Sequence, residues 1–247
     1  MSTQLQLLQV LADIEMTVGA ERLPIVLFDL DDTLFCTSQR DLLIIREFAA
    51  DHRRQYPDFY ELSQTLVPSQ MGWSVTDALV AAGLSPNNEA LGPFKEFWSG
   101  LFFSDTYSAF DLPNPGAVDY VWACYNAGAL VYYLTGRGVS ARGLTTGMEQ
   151  GTARSLTTRG FPFWTGRAEL ELKKNPKEKD ADYKARALAL VKSLHGSVVA
   201  TFDNEPANVN VYMDHFPEAR NFWVKTTWNP TDPPPKEGAI SIPDFSV

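Results

Sequence analysis

The run Ile25-Val26-Leu27-Phe28-Asp29-Leu30-Asp31-Asp32-Thr33-Leu34 constrains this chain more than any other stretch. Strand-forming apolar residues lead straight into three acids. Side chains alternate along a strand, so a strand continuing through the acids turns Asp29 and Asp31 to one face and Asp32 away. Thr33 adds a hydroxyl just beyond. Carboxylates crowded at a strand end repel one another unless a cation or a proton intervenes. The cluster therefore predicts a hard-cation site of the Mg²⁺ type, with one carboxylate free for nucleophilic attack.

The 247 residues, 45% of them hydrophobic, suffice for one sizeable core, or for a main domain with a smaller insert. The net charge of -9 argues against a general nucleic-acid or membrane-surface binder, because phosphate backbones and anionic lipids would be repelled. Cys36 and Cys124 make no C-x-x-C or zinc pattern, which fits a reducing, cytoplasmic setting. No run of about 18 apolar residues occurs, so no membrane span is expected. The first twenty-odd residues carry Asp13 and Glu15 and lack the basic start of a signal peptide. Leu5, Leu8, Val10, Leu11, Ile14 and Met16 recur near helical spacing and predict an amphipathic helix on the domain or on another subunit. A monomer or homodimer is expected.

Short apolar runs predict core strands at Ile25 to Phe28, Leu130 to Leu134, Val198 to Phe202 and Asn221 to Val224. A further strand falls at Leu170 to Leu172, with Phe161 to Trp164 competing. Helical patterns lie between them, at Ala117 to Asn126, Ser140 to Thr158 and Asp182 to Leu194. The alternation predicts an α/β fold: a Rossmann-like parallel sheet with helices on both faces and right-handed crossovers. About a hundred residues separate Asp29 from Leu130, too many for one crossover. Residues 38–111 therefore read as an inserted, mostly helical cap, with 1–37 and 112–247 as the core domain. Helix candidates in the insert are Asp41 to His52, Ser74 to Ala82 and Asn88 to Phe103. Its many aromatics are expected mainly to fill its own small core. The proline-rich tail after Thr227 is expected to wrap the surface in extended form.

Ligands of open parallel sheets bind beyond the carboxyl ends of the strands. Three predicted strands end there in reactive residues: Asp29-Leu30-Asp31-Asp32-Thr33, Thr135-Gly136-Arg137 and Asp203-Asn204-Glu205. This set resembles the haloacid dehalogenase superfamily of aspartyl-phosphate phosphotransferases. Its first motif, D-x-D-x-T, is matched by Asp29, Asp31 and Thr33; its second by Thr135; its fourth by Asp203. The family also inserts helical caps between its first and second motifs. The resemblance implies Asp29 as nucleophile, Asp31 as general acid and base, and Thr135 as a phosphoryl-binding group. It implies Mg²⁺ held by Asp29, the main-chain carbonyl of Asp31, and Asp203. The motif lysine is assigned to Lys184, with Lys173, Lys174, Lys177 and Lys179 as competitors. Thr33, Gly136 and Arg137 are substrate-binding candidates, with Arg137 equally suited to holding its loop. Glu205 and Asn208 are open between ligand contact and a helix N-terminal role. The implied activity is Mg²⁺-dependent hydrolysis of a small phosphorylated metabolite, and the helical cap favours small substrates over polymers. The alternatives are a phosphatase acting on nucleotides or nucleic-acid ends, and a binding protein that kept the fold without the chemistry.

Overall fold

The structure, a computed structural model, describes residues 2–139, 147–175 and 178–246. The chain opens with α1 (Thr3–Gly19), whose first turn is capped by Ser2 Oγ accepting the Leu5 amide. Then come β1 (Pro24–Phe28) and the two-residue β2 (Phe35–Cys36). Four helices follow: α2 (Ser38–Asp51), α3 (Pro57–Thr65), α4 (Val75–Ala81) and α5 (Leu91–Phe102). The equally short β3 (Leu112–Pro113) closes this stretch by pairing antiparallel with β2, Cys36 opposite Leu112. The remainder alternates: α6 (Ala117–Asn126), β4 (Leu130–Gly138), α7 (Glu149–Thr158), β5 (Ala168–Lys173), α8 (Asp180–Ser193), β6 (Ser197–Asp203), α9 (Pro206–His215), β7 (Arg220–Val224) and β8 (Ile240–Ile242).

Six strands form one parallel sheet in the order β5-β4-β1-β6-β7-β8. Residues of β1 serve its two faces alternately. Val26 and Phe28 pack with α1, α6 and α7 through Leu7, Val10, Ile14, Tyr120, Val121 and Leu156. Ile25 and Leu27 pack with Tyr183, Ala187, Leu188 and Val191 of α8 and with Tyr212 of α9. Phe28, Phe202 and Phe222 stack across three neighbouring strands at 4.9 and 4.5 Å, which ties strand register to ring packing. The chain runs from β1 outward to β5 and returns to β6 on the other side of β1. That reversal opens a crevice at the carboxyl ends of β1, β4 and β6.

The strand expected at Leu170 to Leu172 is β5, and its competitor Phe161 to Trp164 is not a strand. Other sequence expectations need correction. The predicted helix from Ser140 begins, within the described residues, only at Glu149; positions 140–146 lie outside them. The tail does more than wrap: β8 extends the sheet beside β7. On α1, Leu7, Val10 and Ile14 are buried, whereas Leu5, Leu8 and Met16 face outward. No helix among the described residues is long and apolar enough to cross a membrane.

The tail also crosses Gly116, which has φ +72° just before α6. A Cβ there would collide with the main-chain carbonyl of Phe245, whose amide donates to Pro115 O at 3.0 Å. Gly116→Ala combines that collision with left-handed strain. We expect a loss of about 2 kcal/mol, read as a Tm drop of roughly 4–8 °C in thermal melts.

Candidate active site

Asp29 is the first residue past β1, its amide held by Phe202 O at 3.0 Å. The chain does not continue as a strand beyond it. The amides of Thr33, Leu34 and Phe35 all turn back to Leu30 O, at 3.2, 3.0 and 2.9 Å, and Asp32 takes the left-handed conformation at φ +55°. The alternating-face expectation therefore fails, and Asp29, Asp31 and Asp32 all line one cavity. Asp32 is anchored at its edge, accepting from the amide and hydroxyl of Thr37 at 3.0 and 2.9 Å.

Lys184, in the second turn of α8, is 1% exposed. Its ammonium donates to Asp29 Oδ1 at 2.7 Å and to Asp203 Oδ2 at 2.5 Å. Asp203, at the end of β6, also accepts from Tyr212 Oη and Asn208 Nδ2, both at 3.1 Å, and from the Glu205 amide at 2.9 Å. Burial pushes the Asp29 carboxyl up to about 8, against the pull of Lys184. The lysine's own burial is outweighed by Asp203 and Asp29, so it holds its proton well above the usual range. Of the competing lysines, Lys173 reaches the cavity but is paired with Asp180, and Lys174 is exposed. Lys179 lines the cavity wall. Lys177 lies outside the described residues.

Asp31 has a different environment. Arg40 Nη2 lies 3.0 Å and Arg137 Nη2 2.5 Å from its Oδ1, and both guanidinium groups also pair with Asp111. Arg40, Arg137 and Asp111 are essentially inaccessible. Burial would raise the Asp31 carboxyl, but the two arginines outweigh it and hold it at about 2. Two residues of this cluster, Arg40 and Asp111, come from the ends of the helical insertion; the other two come from the ends of β1 and β4. Arg40 and Asp111 went unnoticed in the sequence. One signal was present: a cation in the first turn of a helix opposes the helix dipole, which asks for a nearby acid.

Thr135 and Gly136 line the cavity, and Thr135 Oγ1 accepts the Arg137 amide at 3.2 Å. The β4–β5 register shifts between Thr135 and Gly138. A Cβ on Gly136 would collide with the Asp180 carboxylate. Arg137 takes the holding role of its two alternatives, and the substrate-binding expectation for Thr33 is corrected. The Arg137 guanidinium is spent on Asp31 and Asp111 and does not line the cavity. Thr33 is fully buried and exchanges hydrogen bonds with Asn204, accepting its amide at 2.9 Å and donating to Oδ1 at 3.0 Å. Both are internal braces. Glu205 lines the cavity while accepting the Asn229 amide at 3.0 Å, and burial raises its carboxyl to about 7. Asn208 also lines the cavity while bracing Asp203.

The cavity has a volume of about 600 Å³ and runs from Asp29 and Lys184 up to the helical insertion. Among the described residues, no three His, Cys, Asp or Glu side chains converge into a ready ion cage. The Asp31 carboxylate belongs to its two arginines.

No family model matches the sequence, and no curated protein matches it. Solved structures do match in fold. A candidate phosphatase from Clostridium difficile is 13% identical over 83% of this chain and 86% of its own, with a TM-score of 0.52. A haloacid dehalogenase-like family hydrolase from Streptococcus pneumoniae is 14% identical over 82% and 85%, with a TM-score of 0.48. A class C acid phosphatase from Bacillus anthracis, solved with tungstate bound, is 15% identical over 81% of this chain, with a TM-score of 0.40. The chain spans 62% of that phosphatase's length. The fold is shared with the candidate phosphatase from Clostridium difficile.

Proposed function

We propose that this chain is a phosphomonoester hydrolase of the haloacid dehalogenase type, with residues 38–111 as a cap over the core. The observation that carries this reading is the placement of Asp29: nearly buried at a strand's carboxyl end, touching Lys184, and opening onto a cavity of small-molecule size. Asp29 would attack phosphorus, forming an aspartyl-phosphate as the bond to the leaving oxygen breaks. Thr135 and nearby amides would hold the phosphoryl oxygens. Lys184 would keep Asp29 and Asp203 in place and lend positive charge to the phosphate. Asp31 would protonate the leaving oxygen and take that proton back from the water that cleaves the intermediate, with its two arginines, which hold it ionised, opposing the first of these transfers.

Asp29 would offer a carboxylate oxygen and Asp31 its main-chain carbonyl to a hard divalent cation such as Mg²⁺. Asp203 does not line the cavity, and its two oxygens already accept from Lys184, Tyr212, Asn208 and the Glu205 amide, so it would join the ion only by giving up partners. One ammonium faces two carboxylates, so the ionised trio carries net negative charge. Burial keeps a proton on Asp29 unless further positive charge is added. A bound Mg²⁺ would add that charge and orient the phosphoryl oxygens.

The test is a panel of small phosphate esters assayed with and without Mg²⁺. Turnover is expected to vanish in excess EDTA and to return when Mg²⁺ is restored. Turnover that survives complete removal of divalent metal would contradict the metal assignment. Hydrolysis of no ester in the presence of Mg²⁺ would contradict the phosphatase.

A further inference from the structure

We propose that the insertion end of the cavity receives a flat aromatic or heteroaromatic ring with a hydrogen-bond donor on its edge. The substrate is then the monophosphate of a ring-bearing alcohol, such as a nucleoside, and not a sugar or polyol phosphate. This rests on the phosphatase reading above and deepens it.

The cavity is chemically divided. Its floor at the strand ends is ionic, with Asp29 and Lys184, while Trp73, Trp98, Phe102 and Phe103 line its upper wall. A phosphoryl group against Asp29 and Thr135 fills a small part of about 600 Å³, and the rest faces rings. Trp98 is already fixed. Its indole Nε1 donates to Asp41 Oδ1 at 2.6 Å, and its ring lies 4.6 Å from Phe102 at 30° and 6.0 Å from Phe103, edge-on. A wall ordered before binding loses little entropy when a ligand arrives. Trp73 differs: it is 51% exposed, sits at the cavity wall, and has no ring partner among the described residues. An indole face left open on a cavity wall is a stacking platform.

Asp41 specifies the edge chemistry. It is 5% exposed, yet it lines this aromatic end beside the tryptophan it holds. A carboxylate there repels the anionic half of a substrate, so the group facing it is a donor. Burial lifts its carboxyl to about 7 despite the bond from Trp98, which softens that repulsion near neutrality. An ammonium group is the other partner that rings and a carboxylate could take. It is disfavoured because cations are already present: the Arg40 guanidinium lies 4.3 Å from the Phe102 centroid, and Lys95 lines the same end.

The experiment compares kcat/KM for adenosine 5′-monophosphate and cytidine 5′-monophosphate with that for glycerol 3-phosphate, glucose 6-phosphate and phosphocholine. The ring-bearing esters are expected to lead by at least about tenfold. Trp73→Ala is expected to lower the ring-to-polyol ratio roughly 5- to 10-fold, mainly through KM, and Trp73→Phe to restore most of it. Equal or better use of the ringless esters, or a ratio unmoved by Trp73→Ala, overturns the proposal. A second measurement separates this from the reaction itself: adenosine titrated into the Asp29→Asn protein, followed by tryptophan fluorescence. Saturable quenching that weakens with Trp73→Ala supports the ring site even if no ester is hydrolysed, an outcome that would sink only the phosphatase reading. Hydrolysis without ring preference and without quenching sinks the ring site and leaves the phosphatase. Neither hydrolysis nor quenching sinks both.

Discussion

Asp29→Asn is expected to lower turnover by at least about 10³-fold while leaving the protein folded and, near neutral pH, no less stable. The amide keeps the shape of the side chain and an oxygen for Lys184, 2.7 Å away in the native protein, but it cannot form an acyl phosphate as the carboxylate does. The stability half follows from linkage. Burial raises the native carboxyl from 3.8 to about 8, so the folded state holds a proton that the unfolded chain has already released. Stability from this group is therefore complete below about pH 4 and is lost as pH rises toward 8. Asn has no such dependence, so the variant should gain on the parent protein across that window. Melts from pH 4 to 9 without divalent metal, run beside turnover assays, test both halves. Retained turnover would remove Asp29 as nucleophile. A variant that melts far below the parent at pH 7 would contradict the desolvated carboxyl.

The largest loss of stability is expected from Arg137→Met. Arg137 and Arg40 balance Asp31 and Asp111, and three of the four groups are wholly enclosed. Removing one guanidinium leaves two carboxylates to share Arg40. Breaking a buried ionic group this way costs about 3–5 kcal/mol, or a Tm drop of roughly 6–20 °C. Removing a matched pair is a different matter. Arg137→Met with Asp111→Leu leaves Arg40 facing Asp31, and much of the loss should return, since apolar groups of similar volume can replace a buried ion pair. Arg137→Lys should rescue poorly, because an ammonium cannot span two carboxylates as the planar fork does. Denaturant midpoints for the three variants decide it. A double variant no more stable than Arg137→Met alone would show that the arginine acts by packing against Phe35, 5.5 Å from its ring, and not by charge.

Much of the sheet was legible because its central strands are apolar at nearly every position. Ile25 to Phe28, Leu130 to Leu134 and Val198 to Phe202 could hardly be anything else. The edge strand Ile240–Ile242 was hidden: three residues between a proline-rich segment and Pro243 carry no period, and only β7 alongside makes them a strand. The turn after Asp29 escaped for a related reason, since three amides converging on Leu30 O is a tertiary fact with no signature in residue type. In the candidate site, residues at strand ends were readable because the sheet delivers them to one rim. Arg40 and Asp41 were not, because a charged residue in a helical pattern ordinarily faces water, and Asp111 was not, because a lone acid in a connecting segment ordinarily does too. Their burial depends on partners 71 positions apart in the case of Arg40 and Asp111. Thr33 shows the converse error, and Arg137 took the bracing role of the two that the sequence left open. Both stand in the right motif, yet their polar atoms are used up holding neighbours.

The narrow neck between β2 and β3 has one more implication. The chain departs at Cys36 and comes home at Leu112, directly opposite, and Asn114 clasps the departure point through Leu34 O and Thr33 O at 2.8 and 2.7 Å. Everything between is a detour that contributes no strand to the central sheet. A lineage could exchange the middle of that detour without shifting a single sheet partner, but not its two ends, because Arg40 and Asp111 there hold Asp31 and Arg137 in place at the strand ends.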